Sequence, residues 1–491
     1  MNVTRVFAAL TPVMLLSSVI FAQGSGPALT LEEAIRTAFE KNPGIKVEAY
    51  APGIARARWL EAIGQFDPAL TFGRSYAEDG KPASADPLVR SLDETDSYSL
   101  AIQGMVPWGL SYSLSGNADN HRGTSNHFTD SYSTFGGITV TQPLLRGFGF
   151  GANLAGIRIA KADRSISEWD YRQTVIDTIT NVVTAYSNLV LAHDQLRIAR
   201  SSHDLAATLL GENEKRLRIG SMAQSDVTAA RTQAAMREEP ILIAERAVRN
   251  AENVLRELMG ETSFSPSQPP LAIETPVPPE VTVDPAADLQ KAFLNRPDYQ
   301  AARLGIVKNR ASDAAARNGL LPQVDFIGGY GYNGLDRHFA ASRHMVAEGE
   351  NRSYSAGVVV TIPFTFAQER GRARAARLQL EQAEADLKRI EADIAVSVAN
   401  AAGQIETARQ RMSADQAALD LAHQALEDEV KKLRAGTPGT STLSVIQAQQ
   451  ILISIENSMA GAQAAQRLAV ANYDHELGTT LQRYHVVLDG P

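Results

Sequence analysis

Two stretches decide how this chain reads: Ala34-Ile35-Arg36-Thr37-Ala38-Phe39-Glu40-Lys41-Asn42-Pro43 and Asp288-Leu289-Gln290-Lys291-Ala292-Phe293-Leu294-Asn295-Arg296-Pro297. Each reads as a helix that breaks before its proline, which a helix interior does not tolerate. The correspondence continues outward, at the same offset as far as Pro68 and Pro322. Phe66-Asp67-Pro68 answers Leu320-Leu321-Pro322, and Val140-Thr141-Gln142-Pro143 answers Val360-Thr361-Ile362-Pro363. Further on, Arg216-Leu217-Arg218-Ile219-Gly220 answers Lys432-Leu433-Arg434-Ala435-Gly436, and Leu258-Met259-Gly260 faces Glu476-Leu477-Gly478. A sequence written twice predicts two tandem structural units. Their bounds are 23–260 and 286–480, with a linker at 261–285 and a tail at 481–491. The linker carries prolines at 266, 269, 270, 276, 278, 279 and 285 and reads as an extended connection.

Both halves share one grammar. A helix starts near Thr30 or Ala286, breaks before Pro43 or Pro297, and resumes to about Gly64 or Gly319. Strands follow, then a long helix, a glycine turn and a second helix. The strands alternate with period two. From Ser353 to Phe364 one face carries Tyr354, Ala356, Val358, Val360, Ile362 and Phe364. From Ser97 to Val106 it carries Tyr98, Leu100, Ile102 and Val106, opposite Ser97, Ser99, Ala101 and Gln103. The same faces recur at Leu70, Phe72 and Tyr76, and at Val324, Phe326, Tyr330 and Tyr332. Such segments fit a lipid-facing barrel with a wet lumen, and equally a soluble sandwich with one buried face. The first half holds an additional hairpin around Pro107-Trp108-Gly109, so the chain is expected to carry about six strands rather than about four, with Trp108 in an aromatic girdle. The helices from about Gly151 to Ile219 and Ala367 to Ala435 lack proline. Each would run roughly 100 Å at about 1.5 Å per residue, which calls for coiled-coil-like packing. Their partners run from about Ser225 to Met259, with a kink or break at Pro240, and from Leu443 to Leu477.

Residues 1–22 read as a secretory signal: Arg5, an apolar run from Val6 to Phe21, then Ala22. No later apolar run of about 18 residues is evident, which leaves a periplasmic protein, an exported one or an outer-membrane β-barrel. The chain has no cysteine, hence no disulfide, no thiolate metal site and no acceptor for lipoprotein acylation. The formal net charge is -8 without a polybasic run, which argues against a nucleic-acid partner.

Strand hairpins set between long helices, in two copies after a signal, resemble the TolC-like outer-membrane efflux proteins. The most specific pieces are the Asn42-Pro43 break, Phe66-Asp67-Pro68, Thr141-Gln142-Pro143-Leu144, and Leu217-Arg218-Ile219-Gly220 followed by Ser225-Asp226-Val227 and Ala230. The resemblance implies a mainly α fold with membrane β. Its long helices would form a periplasmic α-barrel, and its strands would contribute to a shared trimeric transmembrane β-barrel. It further implies a homotrimer in outer-membrane lipid, a passive exit duct of a tripartite efflux or type I secretion system, with a periplasmic adaptor and an inner-membrane transporter as partners. The other reading is a secreted or periplasmic coiled-coil scaffold.

No enzyme chemistry is expected and no cofactor or metal. Gly147-Phe148-Gly149-Phe150-Gly151-Ala152 fits a dinucleotide pattern, but the helix after it is far too long for a βαβ unit, and a strand-to-helix corner explains the glycines. His338 and His344 are expected in a loop between strands without a third metal ligand. By the resemblance, the helix turns at Gly220 and Gly436 are periplasmic tips. Ser225, Asp226, Ser444 and Gln447 would lie at the gate, and Arg216, Leu217, Arg218, Lys432, Leu433 and Arg434 would meet the adaptor. Asp226 reads either as a latch to a tip arginine or hydroxyl, or as a helix-capping residue. The cargo, whether drug, metal or protein, is left open.

Overall fold

Helix α1 (Leu31–Lys41) begins at a reciprocal cap: Thr30 and Glu33 each accept the other's backbone N–H at 3.2 Å. It ends at Asn42, whose side chain opens α2 (Pro43–Glu48) by accepting from Gly44 N at 2.8 Å and Ile45 N at 3.2 Å. The Asn42 amide donates to the Leu258 carbonyl at 2.8 Å, tying the break to the far end of its own repeat. Helix α3 (Tyr50–Gly64) leads into four strands: β1 (Ala69–Pro82), β2 (Arg90–Met105), β3 (Ser111–Gly123) and β4 (Ser131–Pro143). A short α4 (Phe150–Asn153), the long α5 (Ala155–Arg218), α6 (Gln224–Met236) and α7 (Glu238–Leu258) complete the first repeat. The second runs α8 (Pro285–Asn295), α9 (Pro297–Asn318), β5 (Gln323–Asp336), α10 (Phe339–Glu348), β6 (Asn351–Thr361), α11 (Ala367–Ala435), α12 (Thr442–Leu477) and α13 (Thr480–Arg483). The computed structural model describes residues 28–82, 90–263, 265, 270–276, 281–437 and 441–488. The signal read at 1–22, several linker prolines and the end of the tail lie outside them.

Three local outcomes differ from the sequence reading or sharpen it. The ladder breaks at Arg237, so Pro240 falls in the first turn of α7, where its missing N–H has no partner to lose. His338 and His344 are not in a loop. His338 precedes α10 and His344 lies within it, because Ala340, Ala341, Met345 and Ala347 favour helix and Ser342 anchors it to Thr134 of β4 at 2.7 Å between hydroxyls. And α5 does hold an 18-residue window of mean hydropathy 1.2, but 61% of it is buried inside the chain. Its apolar residues Val175, Ile179, Val182 and Leu189 pack with Ala34, Ile35 and Ala38 of α1 and Leu255 of α7, so this is a core helix.

The six strands form one antiparallel sheet in the order β1-β2-β3-β4-β5-β6. Its register sorts side chains into two faces. One row across the sheet reads Leu70, Ile102, Leu114, Ile138, Tyr330, Tyr354, all exposed. The next row reads Thr71, Ala101, Ser115, Gly137, Gly331, Ser353. The hairpin around Pro107-Trp108-Gly109 thus leads into a full strand, β3, from Ser111. The β2–β3 turn packs on the strand-to-helix corner: Gly149 N donates to the Trp108 carbonyl at 3.0 Å, and Gly109, Gly147 and Gly149 all have positive φ. That geometry is what the Gly-x-Gly pattern serves.

The helices share thin cores. One gathers α1, α5 and α7, a second packs Ile394, Val398 and Ile405 of α11 on Tyr473 and Leu477 of α12, and a third lies toward the helix turns around Leu209, Leu426 and Val445. The repeat symmetry reappears in two glycines. A Cβ on Gly260 would sit 2.6 Å from the Lys41 carbonyl oxygen, and one on Gly478 would sit 2.8 Å from the Asn295 carbonyl carbon. Both glycines have positive φ, +82° and +68°. Gly478→Ala is therefore expected to cost at least about 2 kcal/mol, from left-handed strain plus the displaced α8–α9 break. Gly403→Ala, in an open helical position, should gain up to about 1 kcal/mol. Thermal unfolding of both variants in detergent checks the pair, and an unchanged midpoint for Gly478→Ala would refute the close approach.

Candidate gate and inter-repeat belt

The turns at Gly220 and Gly436 lie side by side. Gly220 (φ +76°) ends the first coil, with Gly220 N on the Leu217 carbonyl at 2.9 Å and Ser221 N on the Arg216 carbonyl at 2.9 Å. Gly436 (φ +70°) ends α11 in the same way, with Thr437 N on the Lys432 carbonyl at 3.2 Å. Three links bind the coils. Arg216 donates from Nη1 to the Leu433 carbonyl at 2.7 Å, adding a charged donor at the negative end of α11 to a carbonyl that also accepts from Gly436 N at 3.3 Å. Arg434 pairs with Glu212 at 2.7 Å. Asn213 Nδ2 donates to Thr442 Oγ1 at 3.2 Å, and these two side chains are 0% and 1% exposed.

The other tip residues fall out as follows. Leu433 is buried, while Lys432 is spent locally on Glu429 at 2.7 Å. Leu217 and Arg218 close α5, with Ile219 exposed beyond them. Ser225 is exposed and Asp226 half-buried in the first turn of α6. Asp226 is not the cap: that place belongs to Ala223, which has no side-chain cap bond. The backbone enters the helix three residues earlier than the aspartate, whose charge instead meets the positive helix end. Among the described residues its carboxylate has no ion pair, so no latch to an arginine of its own chain forms. Ser444 is half-buried and shares a 3.4 Å contact with Ser441, and Gln447 is exposed. Sequence reasoning missed Glu212 and Asn213. Asn213 was detectable as a polar residue four positions after Leu209, on the face that packs.

A second polar assembly joins the repeats at the belt. Arg296, between α8 and α9, reaches Glu476 at 2.5 Å, Ser397 Oγ at 3.1 Å and Asp298 at 2.7 Å. His475 reaches across to Asp177 of the first repeat at 2.8 Å and to Glu476 at 3.4 Å. Its hydrogen bond to Asp177, with a second to Glu476, lifts its pKa to about 9 against the effect of burial. His475 in turn, with Ser397 and Arg296, holds the Glu476 carboxyl down to about 2. Nearby, Asp288 takes Lys291 at 2.8 Å and the Tyr473 hydroxyl in a short hydrogen bond. Among the described residues no three His, Asp or Glu side chains gather as a metal site. His338 rests on Asp336 at 3.4 Å and His344 on Glu348 at 3.3 Å.

Residues 97–261 and 289–479 match the model of a family described as outer membrane efflux protein. The chain is 27% identical to protein CyaE of Bordetella pertussis over 266 residues, 53% of this chain and 54% of that one. It is 23% identical to the outer membrane efflux protein BepC of Brucella suis over 356 residues, 70% of this chain and 71% of that one. The match thus spans about half the length of CyaE. Its fold is similar to that of the outer-membrane channel OprN, with a TM-score of 0.68 at 18% identity, covering 91% of this chain and 90% of that one.

The belt sets a pH dependence. His475 has a folded pKa of about 9, above its ordinary value of 6.5, so its contribution is whole below about pH 6.5 and lost as pH rises through about 9. Its size is on the order of 2 kcal/mol, allowing for screening at the half-exposed Asp177. The thermal midpoint should fall across that window, and His475→Gln should flatten the fall. Equal slopes for both proteins would contradict the assignment.

Proposed function

The chain belongs to the outer membrane efflux protein family, and from that premise we propose that three copies close one channel whose strands cross the outer membrane and whose helices continue it as a periplasmic duct. It is an outer-membrane efflux protein, a conduit rather than an enzyme. The observation that carries the proposal is the sheet: an apolar row, Leu70, Ile102, Leu114, Ile138, Tyr330 and Tyr354, crosses all six strands on one face, the row beside it on the other face is small or polar, and β1 and β6 remain edges. Edges in lipid leave backbone groups unpaired at several kcal/mol each, and joining β6 of one copy to β1 of the next removes them.

The helices support the same ring. Within one chain the neighbours run α3–α5–α9–α11 near the sheet and α7–α5–α12–α11 below it. One flank exposes Tyr50, Ile54 and Leu60 on α3 and Leu242, Ile243 and Val254 on α7. The other exposes Leu378, Val396 and Leu421 on α11. Two different apolar flanks suit head-to-tail closure about a rotation axis. We further propose that the tips at Gly220 and Gly436 form the constriction and dock a periplasmic adaptor, with an inner-membrane transporter completing the pump and selecting the cargo. In this reading the coil-to-coil links of Arg216, Arg434 and Asn213 hold the closed state, because opening slides α11–α12 past α5–α6. Asp226 acts at its helix end alone.

Native mass measurement in mild detergent should give a trimer, and Val254→Asp or Leu421→Asp should shift it to monomer, each burying a charge where about 1.5–3 kcal/mol of apolar contact stood. A monomeric wild type with full helicity would end the proposal. In planar bilayers, the double change Arg216→Ala and Arg434→Ala should raise open probability several-fold. Asp226→Asn should leave conductance unchanged and lower stability by about 0.3–1 kcal/mol. A conductance rise from Asp226→Asn alone would move the latch back to that residue.

A further inference from the structure

The helices are basic where they meet the sheet. Residues 54–64 of α3, 155–165 of α5, 308–318 of α9 and 367–377 of α11 are the three turns nearest the strands. Together they hold twelve Lys and Arg against four Asp and Glu, in a chain whose net charge is -8. Some of these cations are spent inside the chain, as Lys308 is on Asp163 at 2.7 Å. Six are not: Arg58, Arg158, Lys161, Arg370, Arg372 and Arg374 are exposed and form no ion pair among the described residues. Helix stability does not ask for them. Helices α5 and α11 begin here, and cations in the first turns of a helix oppose its dipole. The three arginines of α11 fall on every second residue, about 200° apart in turn, so both sides of the helix layer carry charge.

The collar is continuous with the lipid-facing sheet. At the corners between strands and helices Phe148, Phe150, Leu320, Leu321 and Phe364 are exposed. Exposed aromatic and aliphatic residues followed by cations give the order of groups met on leaving hydrocarbon for a headgroup layer. Between α5 and α9 the collar opens into a cavity of about 440 Å³. Arg158 and Lys161 line it, about 5 and 9 Å along the axis from the first residue of α5. Ala162, Ala311 and Ala314 are small and leave room between the helices, and Leu304 and Val307 line the end farther from the sheet. Arg310 also lines it but is committed to Glu384 at 3.2 Å. The cavity belongs to one chain and lies on neither of its two apolar flanks. A guanidinium and an ammonium so placed suit a phosphodiester, whose oxygens take charged N–H donors.

We propose that this collar docks anionic glycerophospholipids of the inner leaflet of the outer membrane, with the α5–α9 cavity seating one headgroup in each chain. The proposal rests on the reading that the apolar face of the sheet meets lipid, and adds to it a selectivity for headgroup charge. A lipid seated between α5 and α9 bridges the two repeats, so its binding should register as stability.

The test places the purified full protein in nanodiscs of equal parts phosphatidylcholine and phosphatidylglycerol, releases it, and counts the retained lipids by native mass measurement. Wild type should keep phosphatidylglycerol several-fold in preference to phosphatidylcholine, and phosphatidylglycerol should raise its thermal midpoint. Arg158→Gln with Lys161→Gln should reduce that preference about fivefold for each cation lost and abolish the rise. Lys215→Gln with Lys388→Gln, an equal loss of exposed charge far from the sheet, should leave both unchanged. Excess inorganic phosphate should not displace the lipid. No preference in wild type, the same preference in the Arg158/Lys161 variant, an equal loss in the control, or displacement by phosphate would each overturn the proposal. So would a shift in ion selectivity across planar bilayers with lipid retention intact, which would turn these cations toward the lumen. Should the double variant fail to assemble, Lys161→Gln alone carries the comparison. The same spectra report the oligomer: a trimer without anionic lipid defeats this proposal alone, whereas a monomer defeats the channel.

Discussion

The rest of this molecule depends on the rule that every backbone N–H and C=O inside lipid must find a partner. The meander of six strands satisfies it internally for β2 to β5 and leaves it unmet at β1 and β6. Because β4 of the first repeat pairs directly with β5 of the second, the two repeats enter the membrane as one sheet. The long helices then leave from the same side, through the corners at 143–149 and 361–366, while α10 joins β5 to β6 at the opposite end. The closed ring proposed above, which removes the edges, would also dictate a ring of helices beneath it.

Such helices cannot be stabilised by a globular interior. Helix α5 has 64 residues and α11 has 69, while the cores that hold them are narrow and spaced along their length. Between those cores the polar clusters carry the specificity. At the belt, Arg296, Glu476, His475 and Asp177 cross from one repeat to the other, and Gly260 and Gly478 let the ends of α7 and α12 approach the broken helices within contact distance. At the tips, the charge of Arg216 meets a carbonyl at the negative end of α11 and ties that end to α5. These interactions are individually modest. Their placement at the two ends of the free helical spans is what fixes one coil against the other.

Much of this was legible beforehand because it rests on local rules. Proline at 43 and 297 had to break helices, glycine at 220, 436 and 478 had to turn them, and alternation had to produce strands with a lipid-compatible face. What misled the reading was context. Pro240 moved its break three residues upstream, Asp226 lost the capping place to Ala223, and the segment around His338 and His344 gained a helix because Ser342 could anchor to Thr134. Each outcome depends on a partner far away in sequence or on where the backbone enters a helix, and neither is encoded in residue spacing.

By itself the sequence determined the duplication, the order of elements, the length of the helices and the polarity of the strand faces, since all of these follow from periodicity and from residues that constrain φ or lack an N–H. Only the tertiary structure decided that β4 of the first repeat pairs with β5 of the second, which carbonyl Arg216 reaches, and that His475 answers Asp177. Those are meetings between residues roughly 200 to 300 positions apart. They are set by how two repeats pack on each other, a geometry that no local pattern carries.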